Sequence, residues 1–419
     1  MADKQASSVH RFEELDSLRG IAAAVVVVAH FAGIFLPGAV FAKDGHFSWE
    51  ILFVSTPLHL LTSGHLAVCM FFVLSGFVLT VRQLAPGERF TNQDLLTAAL
   101  KRPVRLGGMV IVTELAGMFC WWQGWFVTQT AAARLHNSWL AYFWPKEIEA
   151  HDISALATGP FFYGVSFNPP LWTIELELYG SFMVFGMAAH LTRLAWGRLP
   201  VLIGMLMVLG RLPEMMRACG YDSQIIPAGH WLLLQGFVFG MMAAEVWHMP
   251  GLLARCWQSK PLRYSWLVVA VVFASFPYYG SAGETLYRLL PTITPRLGGG
   301  YPMLGAFMLF LLVLAGWGRG VLLSAPARLL GRLSYAIYGC HFIILPTITC
   351  GLYLYLDERG VSYPLTIIIC LFVTLPLMLG CARLLARHVD TPSIRAAAAV
   401  GRWVRHGFQK GRVCSEACD

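Results

Sequence analysis

The chain has 419 residues, of which 57% are hydrophobic and only 13% are charged, whereas roughly a quarter are charged in soluble domains. Together with a mean hydropathy of +0.61, this composition excludes a water-soluble globular protein and predicts an all-α, polytopic membrane protein. The net charge of +8 does not indicate nucleic-acid binding, because the basic residues lie between apolar segments and form no single basic face.

About ten membrane-spanning helices are predicted from apolar runs close to the ~20 residues that cross the hydrocarbon core. Acidic residues precede the first run and no small-residue cleavage site follows it, so we expect this span to be retained. The segment 51–62 is too short for a crossing and contains Pro57, so we expect an interfacial or re-entrant piece there. The predicted spans are 17–36, 65–82, 105–126, 171–190, 199–212, 230–248, 262–280, 299–316, 333–355 and 361–387.

The distribution of basic residues predicts that both termini are cytoplasmic. Most of the 31 Lys and Arg residues fall in the connections on the side of the termini, as the positive-inside rule requires. We divide the chain into a membrane domain, 1–390, and a basic amphipathic cytoplasmic tail, 391–419. The tail is typical of a helix lying on an anionic inner leaflet, and a solvated tail fits the sequence equally well.

The longest outside connection, 127–170, contains aromatic clusters and an acidic patch. It leads through Asn168 and two prolines directly into the fourth predicted span. Two interpretations stay open, a cap over an outward-facing site or a surface loop with solvated charges.

The first span carries Arg19 and His30 on one face. Eleven residues separate them, so on a helix they differ by about 20° in direction and by about 16–17 Å in rise. An arginine at the cytoplasmic boundary then places His30 about halfway across the hydrocarbon, where a polar ring needs a cavity or a partner. This spacing favours a functional histidine.

Two arginines open the third span, in Lys101-Arg102-Pro103-Val104-Arg105. Arg102 and Arg105 are neighbours on a helix surface, and two guanidinium groups there can bind phosphate through paired hydrogen bonds. The positive-inside rule also explains arginines at this position without a ligand.

The fourth span begins with a tryptophan, Trp172, and contains two carboxylates, which are expensive in hydrocarbon and need partners. Thr173, Glu177 and Ser181 recur every four residues and form one polar stripe, so we expect Glu177 to face the interior. Glu175 points elsewhere and is expected at the water boundary.

Further polar groups lie at membrane depth. His341 is three residues after Tyr338, so the two can touch, as a packing contact or as part of a cavity wall. For Glu114 we expect an ion pair with an arginine. Trp172, Glu175, Tyr338 and His341 are the further candidates for contacting substrate.

The ten cysteines lie mostly inside apolar segments and include no Cys-x-x-Cys pair. The sequence therefore predicts neither a disulfide framework nor a metal site.

The ordered motifs resemble those of the acyltransferase-3 family of integral membrane O-acyltransferases. The resemblance covers nearly the whole chain and implies a ten-span fold that takes an acyl group, usually acetyl, from acyl-CoA inside the cell to a hydroxyl, usually on a carbohydrate, outside. Glu175 departs from the common family pattern, and so does the sequence 389–392, where many members have a Glu-x-Pro element. The segments that carry the resemblance are RFEELDSLRGIAAAVVVVAHF (11–31), FFVLSGFVL (71–79), KRPVR (101–105), PLWTIELELYGS (170–181) and LSYAIYGCHF (333–342).

The resemblance also implies roles for individual residues. Arg19 and His30 match the family's essential pair, Arg102 and Arg105 match its proposed CoA-phosphate binders, and Glu177 matches the carboxylate that follows the tryptophan. The implied co-substrate is acyl-CoA, with no metal. The implied acceptor is a carbohydrate or glycolipid, and the implied location is the inner membrane of a bacterium.

Acyl transfer from a thioester to an alcohol needs a base, oxyanion stabilisation and a dry site. We expect Arg19, Arg102 and Arg105 to hold the CoA phosphates while the pantetheine arm extends toward His30. His30 then acts as a general base or is transiently acylated, and the sequence leaves both routes open. Glu177 is expected to fix the His30 tautomer or to bind the acceptor sugar.

Two other classes of protein compete with this interpretation. A transporter or flippase of a lipid-linked saccharide would also place His, Glu and Arg inside the membrane, but would not consume acyl-CoA. A subunit of a polysaccharide export complex would keep the motifs only for folding, and replacement of His30 would leave its function intact.

Overall fold

The computed structural model describes residues 12–416 except 89, 145–166, 195–196, 221–227, 250, 253–257, 279–284 and 292–296. The described residues form helices and turns and contain no strand, which confirms the predicted all-α class. The main helices are α1 (Glu13–Phe35), α2 (Gly64–Thr80), α3 (Asn92–Trp122), α4 (Thr128–Leu135), α5 (Trp172–Leu191), α6 (Arg198–Ala218), α7 (Gln235–His248), α8 (Lys260–Ala274), α9 (Gly300–Leu314), α10 (Ala325–Ile344), α11 (Cys350–Asp357), α12 (Tyr363–Leu385) and α13 (Thr391–Glu416).

Each predicted span overlaps one long helix of the fold. By length and composition, five helices in the described part of the chain can cross a membrane: α1, α3, α6, the continuous helix Ala325–Asp357 and the continuous helix Tyr363–Gly407. Helices α2 and α9 are shorter and apolar. The number of ten spans and the cytoplasmic side of the termini remain predictions.

Two of the long helices are continuous through a π-helical turn. Leu345–Thr349 joins α10 to α11, and Ala386–Asp390 joins α12 to α13. A π turn is a single wide turn that occurs often at functional sites. The first follows His341 by one helical turn, and the second contains Asp390.

Helices α1 and α10 cross with their backbones in direct contact. A Cβ atom on Gly20 would lie 2.2 Å from the backbone nitrogen of Gly331, so no larger residue fits at this crossing. Helices α2 and α7 approach each other in the same way at Gly76 and Gly240. These close contacts hold α1, α2 and α10 in place, and the polar residues of the site lie beside these helices.

The predicted tail forms α13, which packs along the first half of α3. Ala397, Gly401 and Val404 form its buried face, and a Cβ atom on Gly401 would lie 2.8 Å from the Lys101 side chain. The opposite side carries Trp403, which is 76% exposed. The predicted contact with the inner leaflet would use this exposed side.

The segments between spans also take defined forms. Ile51–Ser55 is a short helix and Pro57–Leu61 a 3₁₀ turn, so no crossing helix forms at 51–62. In the predicted connection 127–170, the described part holds α4 and the turn Leu140–Tyr142. The acidic patch of that connection lies outside the described residues.

Candidate active site

Three arginines from two helices lie around one space. Arg19 lies near the start of α1, and Arg102 and Arg105 lie one turn apart on α3. The Arg102 Nε donates to Ser181 Oγ at 2.7 Å, and the Arg19 Nε donates to Ser334 Oγ at 3.2 Å. These hydroxyls orient the guanidinium planes from α5 and α10.

Each of these arginines is paired with one carboxylate. Arg19 contacts Asp16 at 3.3 Å, and Arg105 contacts Asp390 at 2.5 Å. Arg102 forms an ion pair with Glu177. In this state the three positive charges are balanced, so an anionic ligand must displace carboxylates to reach the guanidinium groups.

The arginines open into a cavity of about 200 Å³ between α1, α2, α3, α5 and α10. Its polar wall combines Asp16, Glu177, Ser334 and the arginines, whereas α2 contributes an apolar wall that includes Phe71 and Val78. A cavity with charges at one end and apolar side chains beyond them fits a ligand with an anionic head and an extended arm.

The inner end of the cavity is closed by a hydrogen-bonded pair. The hydroxyls of Thr173 and Tyr338 lie 2.6 Å apart, and the Tyr338 hydroxyl donates to the Pro170 carbonyl at 2.8 Å. The Phe71 ring meets the Tyr338 ring edge-on, with centroids 5.7 Å apart. Together these groups separate the cavity from the histidines beyond it.

His30 lies beyond that wall, about one helical turn farther along. Gly64, the first residue of α2, packs against Ala29, where a Cβ atom would lie 3.2 Å from the alanine Cβ. The cavity residue Val68 follows Gly64 by one turn, a rise of about 6 Å. His30 is half-buried and is not among the residues that line the cavity.

His30 is bonded directly to a second histidine. The His30 Nδ1 and the His341 Nε2 lie 2.9 Å apart, and the His341 Nδ1 lies 2.7 Å from the Tyr338 carbonyl oxygen. His341 is fully buried, and in the described part of the chain no carboxylate contacts it. Because an unpaired buried charge is costly, the His341 ring is neutral.

These contacts assign the tautomer of both rings. The Tyr338 carbonyl can only accept, so the His341 Nδ1 donates to it and the His341 Nε2 is left as an acceptor. The His30 Nδ1 therefore donates to His341, and the His30 Nε2 carries a lone pair. Among the described residues no group bonds to that nitrogen, so it is free to accept a proton or to attack a carbonyl.

Aromatic rings cover the far side of His30. The Trp139 ring lies nearly parallel to the His30 ring with centroids 5.8 Å apart, and the Phe342 ring meets it edge-on at 4.9 Å. Asn137 holds this segment in place by donating to the carbonyls of Gly33 and Ile34 at 2.7 and 2.9 Å. The described part of the 127–170 connection thus packs on the end of α1, and whether it caps an outward-facing site stays a prediction.

Of the two roles expected of Glu177, the structure corrects the contact with His30, and binding of the acceptor sugar stays a prediction. Glu177 lies in the cavity and pairs with Arg102, while His341 occupies the position beside His30. The polar stripe was assigned to the right side, because Thr173, Glu177 and Ser181 all face the cavity or its arginines. The stripe does not reach His30, because Tyr338 lies between them.

Other expectations for the polar residues also change. Glu175 is buried rather than at a water boundary, and Trp172 packs against His230 with ring centroids 4.5 Å apart. Glu114 accepts from the Phe167 backbone N–H at 3.2 Å, and among the described residues it forms no ion pair with an arginine, contrary to the expectation. Helix α5 begins shortly after Phe167, and Trp172 and Glu175 on its first turn therefore face protein.

Sequence reasoning missed two contributors to the site. Asp390 comes from the π turn after α12, and no local pattern indicates that it meets Arg105. The second is Ser334, which lies four residues before Tyr338 and seven before His341 on α10 and accepts from Arg19. This spacing places Ser334 on the same helical face as those two predicted residues and could have indicated that it joins the site.

A family model described as an acyltransferase domain matches residues 12–383, nearly the whole chain. No curated protein and no solved structure gives a significant match. The matched range includes the three arginines of the cavity and both histidines, and ends before Asp390. The chain therefore belongs to the acyltransferase-3 family of membrane acyltransferases.

Proposed function

We propose that this acyltransferase moves an acyl group, foremost acetyl, from cytoplasmic acyl-CoA to a hydroxyl of a carbohydrate or glycolipid at the outer face of a bacterial inner membrane. One observation carries the proposal. Three arginines stand at one end of a cavity, and His30, with a ring nitrogen that no described residue contacts, stands about one helical turn beyond the other end.

The arginines bind the phosphates of the donor. Phosphate oxygens replace the carboxylates of Glu177, Asp16 and Asp390 on the guanidinium groups, and arginine suits this exchange because it binds phosphate through paired hydrogen bonds. Ser181 and Ser334 hold Arg102 and Arg19 in orientation while the partners exchange. The pantetheine arm then extends along α2 toward Tyr338.

His30 transfers the acyl group by one of two routes. As a base, its Nε2 takes the proton of the acceptor hydroxyl while the hydroxyl oxygen attacks the thioester carbonyl, and the proton then goes to the leaving sulfur. As a nucleophile, its Nε2 attacks the thioester carbonyl and the C–S bond breaks, so that CoA leaves as the thiolate. The acceptor hydroxyl then attacks the acyl-histidine, the bond to Nε2 breaks to regenerate His30, and the hydroxyl proton passes to the CoA sulfur. In both routes His341 keeps the His30 Nδ1 proton oriented, so the reacting lone pair stays on Nε2.

The acceptor approaches from the side of the aromatic cap. His30 lies outside the donor cavity, and Trp139 lies beside it. Aromatic rings stack on the apolar faces of sugars, which supports a carbohydrate or glycolipid acceptor. The wall at Tyr338 keeps the thioester away from water until the acceptor is bound.

Inverted membrane vesicles that contain the protein test the proposal with labelled acetyl-CoA. We expect label to enter a polymer or lipid with the wild type, to be lost with His30→Ala, and to fall with Arg102→Ala/Arg105→Ala. His190→Ala is the matched control, because His190 is an exposed histidine outside the cavity. A wild type that neither binds nor consumes any acyl-CoA would overturn the proposal in favour of a transporter.

A further inference from the structure

The wall at the inner end of the donor cavity is held by contacts on both sides of Tyr338. The Tyr338 hydroxyl has two partners, Thr173 and the Pro170 carbonyl, and the Tyr338 ring touches the His341 ring with centroids 5.5 Å apart. Tyr338 therefore cannot swing aside without breaking contacts on both sides. Ligand atoms that reach this end must fit the space that Tyr338 leaves.

Phe71 forms the α2 side of that wall. It lies on α2, lines the cavity, and is half-buried, and its ring packs edge-on against Tyr338. Because the ring fills the space between α2 and Tyr338, its size sets how much room remains between α2 and α10 at the inner end.

An acyl-CoA bound by its phosphates presents its acyl group to this end. The arginines lie at the opposite end of the cavity, and Val78 lies on the same α2 wall about 10 Å of rise from Phe71. The thioester must come near His30, so the acyl carbons occupy the space beside Phe71 and Tyr338. Every additional methylene of the acyl group has to be accommodated there.

Resting on the proposed function, we propose that Phe71 is the residue that limits the acyl group to a short chain. One methylene too many for an apolar pocket weakens binding of the longer substrate by roughly 10-fold or more. Removing the ring opens space along α2 without touching the arginines or the histidines. Phe71→Ala then accepts longer acyl groups that the wild type excludes.

Competition binding tests this assignment without a known acceptor. Acetyl-, butyryl-, hexanoyl- and octanoyl-CoA compete with labelled acetyl-CoA for the purified full-length protein. We expect the wild type to lose affinity by roughly 10-fold or more between acetyl and hexanoyl. Phe71→Ala abolishes this loss or reverses it, and Phe71→Leu, a milder change that keeps a packed side chain, shifts the limit partway.

Val78→Ala is the matched control, because it enlarges the same apolar wall near the arginines. It should keep the wild-type order of chain lengths. An unchanged order in both Phe71→Ala and Phe71→Leu would overturn the role of Phe71 while leaving the donor site intact. Absence of competition by every acyl-CoA, including acetyl-CoA, would instead overturn the proposed function itself.

Discussion

The two histidines have different tasks although they are bonded to each other. His341 uses both ring nitrogens, one on the Tyr338 carbonyl and one on His30, and has no atom left for substrate. His30 uses only one. The hydrogen bonds from His30 to His341 and from His341 to the Tyr338 carbonyl leave the Nε2 of His30 as the reacting nitrogen. We therefore expect substitutions of His30 and of His341 to have different effects on the kinetics.

We expect His30→Ala to lower the rate of acyl transfer by about 10²–10⁴-fold, the usual contribution of a general base. His341→Ala should lower kcat by a smaller factor and leave KM for acyl-CoA unchanged, because the donor cavity does not include His341. Steady-state kinetics with varied acyl-CoA measure both values. A rise in KM alone for His341→Ala would contradict its assignment as a positioning residue.

The ion pair between Arg102 and Glu177 makes a second residue-scale prediction. Glu177→Gln removes the carboxylate that competes with phosphate, so acyl-CoA should bind about tenfold tighter, since a hydrogen bond to a charged group contributes roughly 1.5–3 kcal/mol. Titration of labelled acetyl-CoA measures the change. Weaker binding would mean that Glu177 serves mainly to position Arg102, and unchanged acyl transfer would remove Glu177 from catalysis.

Helical spacing predicted the right faces, and tertiary contacts decided the partners. The stripe Thr173, Glu177 and Ser181 follows from geometry that is local to one helix. The partner of Glu177 does not, because it depends on how α5 packs against α3. The contact between Asp390 and Arg105 could not be predicted for the same reason. Asp390 is distant in sequence from Arg105 and lies in a π turn that no local pattern indicates.

Among the elements, the connection between α1 and α2 is held by one buried carboxylate and one buried histidine. Glu50 accepts from the backbone N–H groups of Gly38, His46 and Phe47 at 2.7–2.8 Å. Thr62 donates to the Ala39 carbonyl at 2.9 Å and accepts from the His59 Nδ1 at 3.1 Å. This contact directs the Nδ1 proton of His59 to Thr62.

Burial lowers the pKa of His59 from 6.5 to about 4. The unfolded chain thus binds more protons between these values, so the free energy of unfolding is highest above pH 6.5 and falls as the pH drops toward 4. The loss amounts to about 3 kcal/mol at most. Thermal unfolding from about pH 7 to about pH 4.5 measures it, and His59→Gln should flatten this part of the dependence. An equally steep fall in the variant would assign it to other groups.

The start of α3 shows a limit of predicting element boundaries from hydropathy. The third span was predicted to start at 105, whereas α3 begins at Asn92. The additional turns are amphipathic and pack against α13 instead of lipid, so hydropathy alone does not detect them. The capping box of Thr91 and Asp94 is the local signal for the true start.

At the scale of the whole molecule, the arrangement of the spans makes a prediction about topology. The turn that ends at Gly360 lies between α11 and α12, and a Cβ atom there would meet nothing. A reporter that fluoresces only in the cytoplasm should fluoresce when fused after Asp419 and stay dark when inserted after Gly360. Fluorescence at both positions would contradict ten spans with cytoplasmic termini.

The wall at Thr173 and Tyr338 also has an electrical consequence. The charged part of the donor stays with the arginines on one side. The acyl group passes the wall outward, and the proton of the acceptor hydroxyl passes inward to the CoA sulfur. An acyl group moving outward is thus exchanged for a proton moving inward, and no net charge crosses the membrane. Moving one elementary charge would couple the reaction to the membrane potential by about 2.3 kcal/mol per 100 mV. We expect the transfer rate in vesicles to be the same with the potential clamped or collapsed by an ionophore, and a rate that follows the potential would show that charge passes the wall.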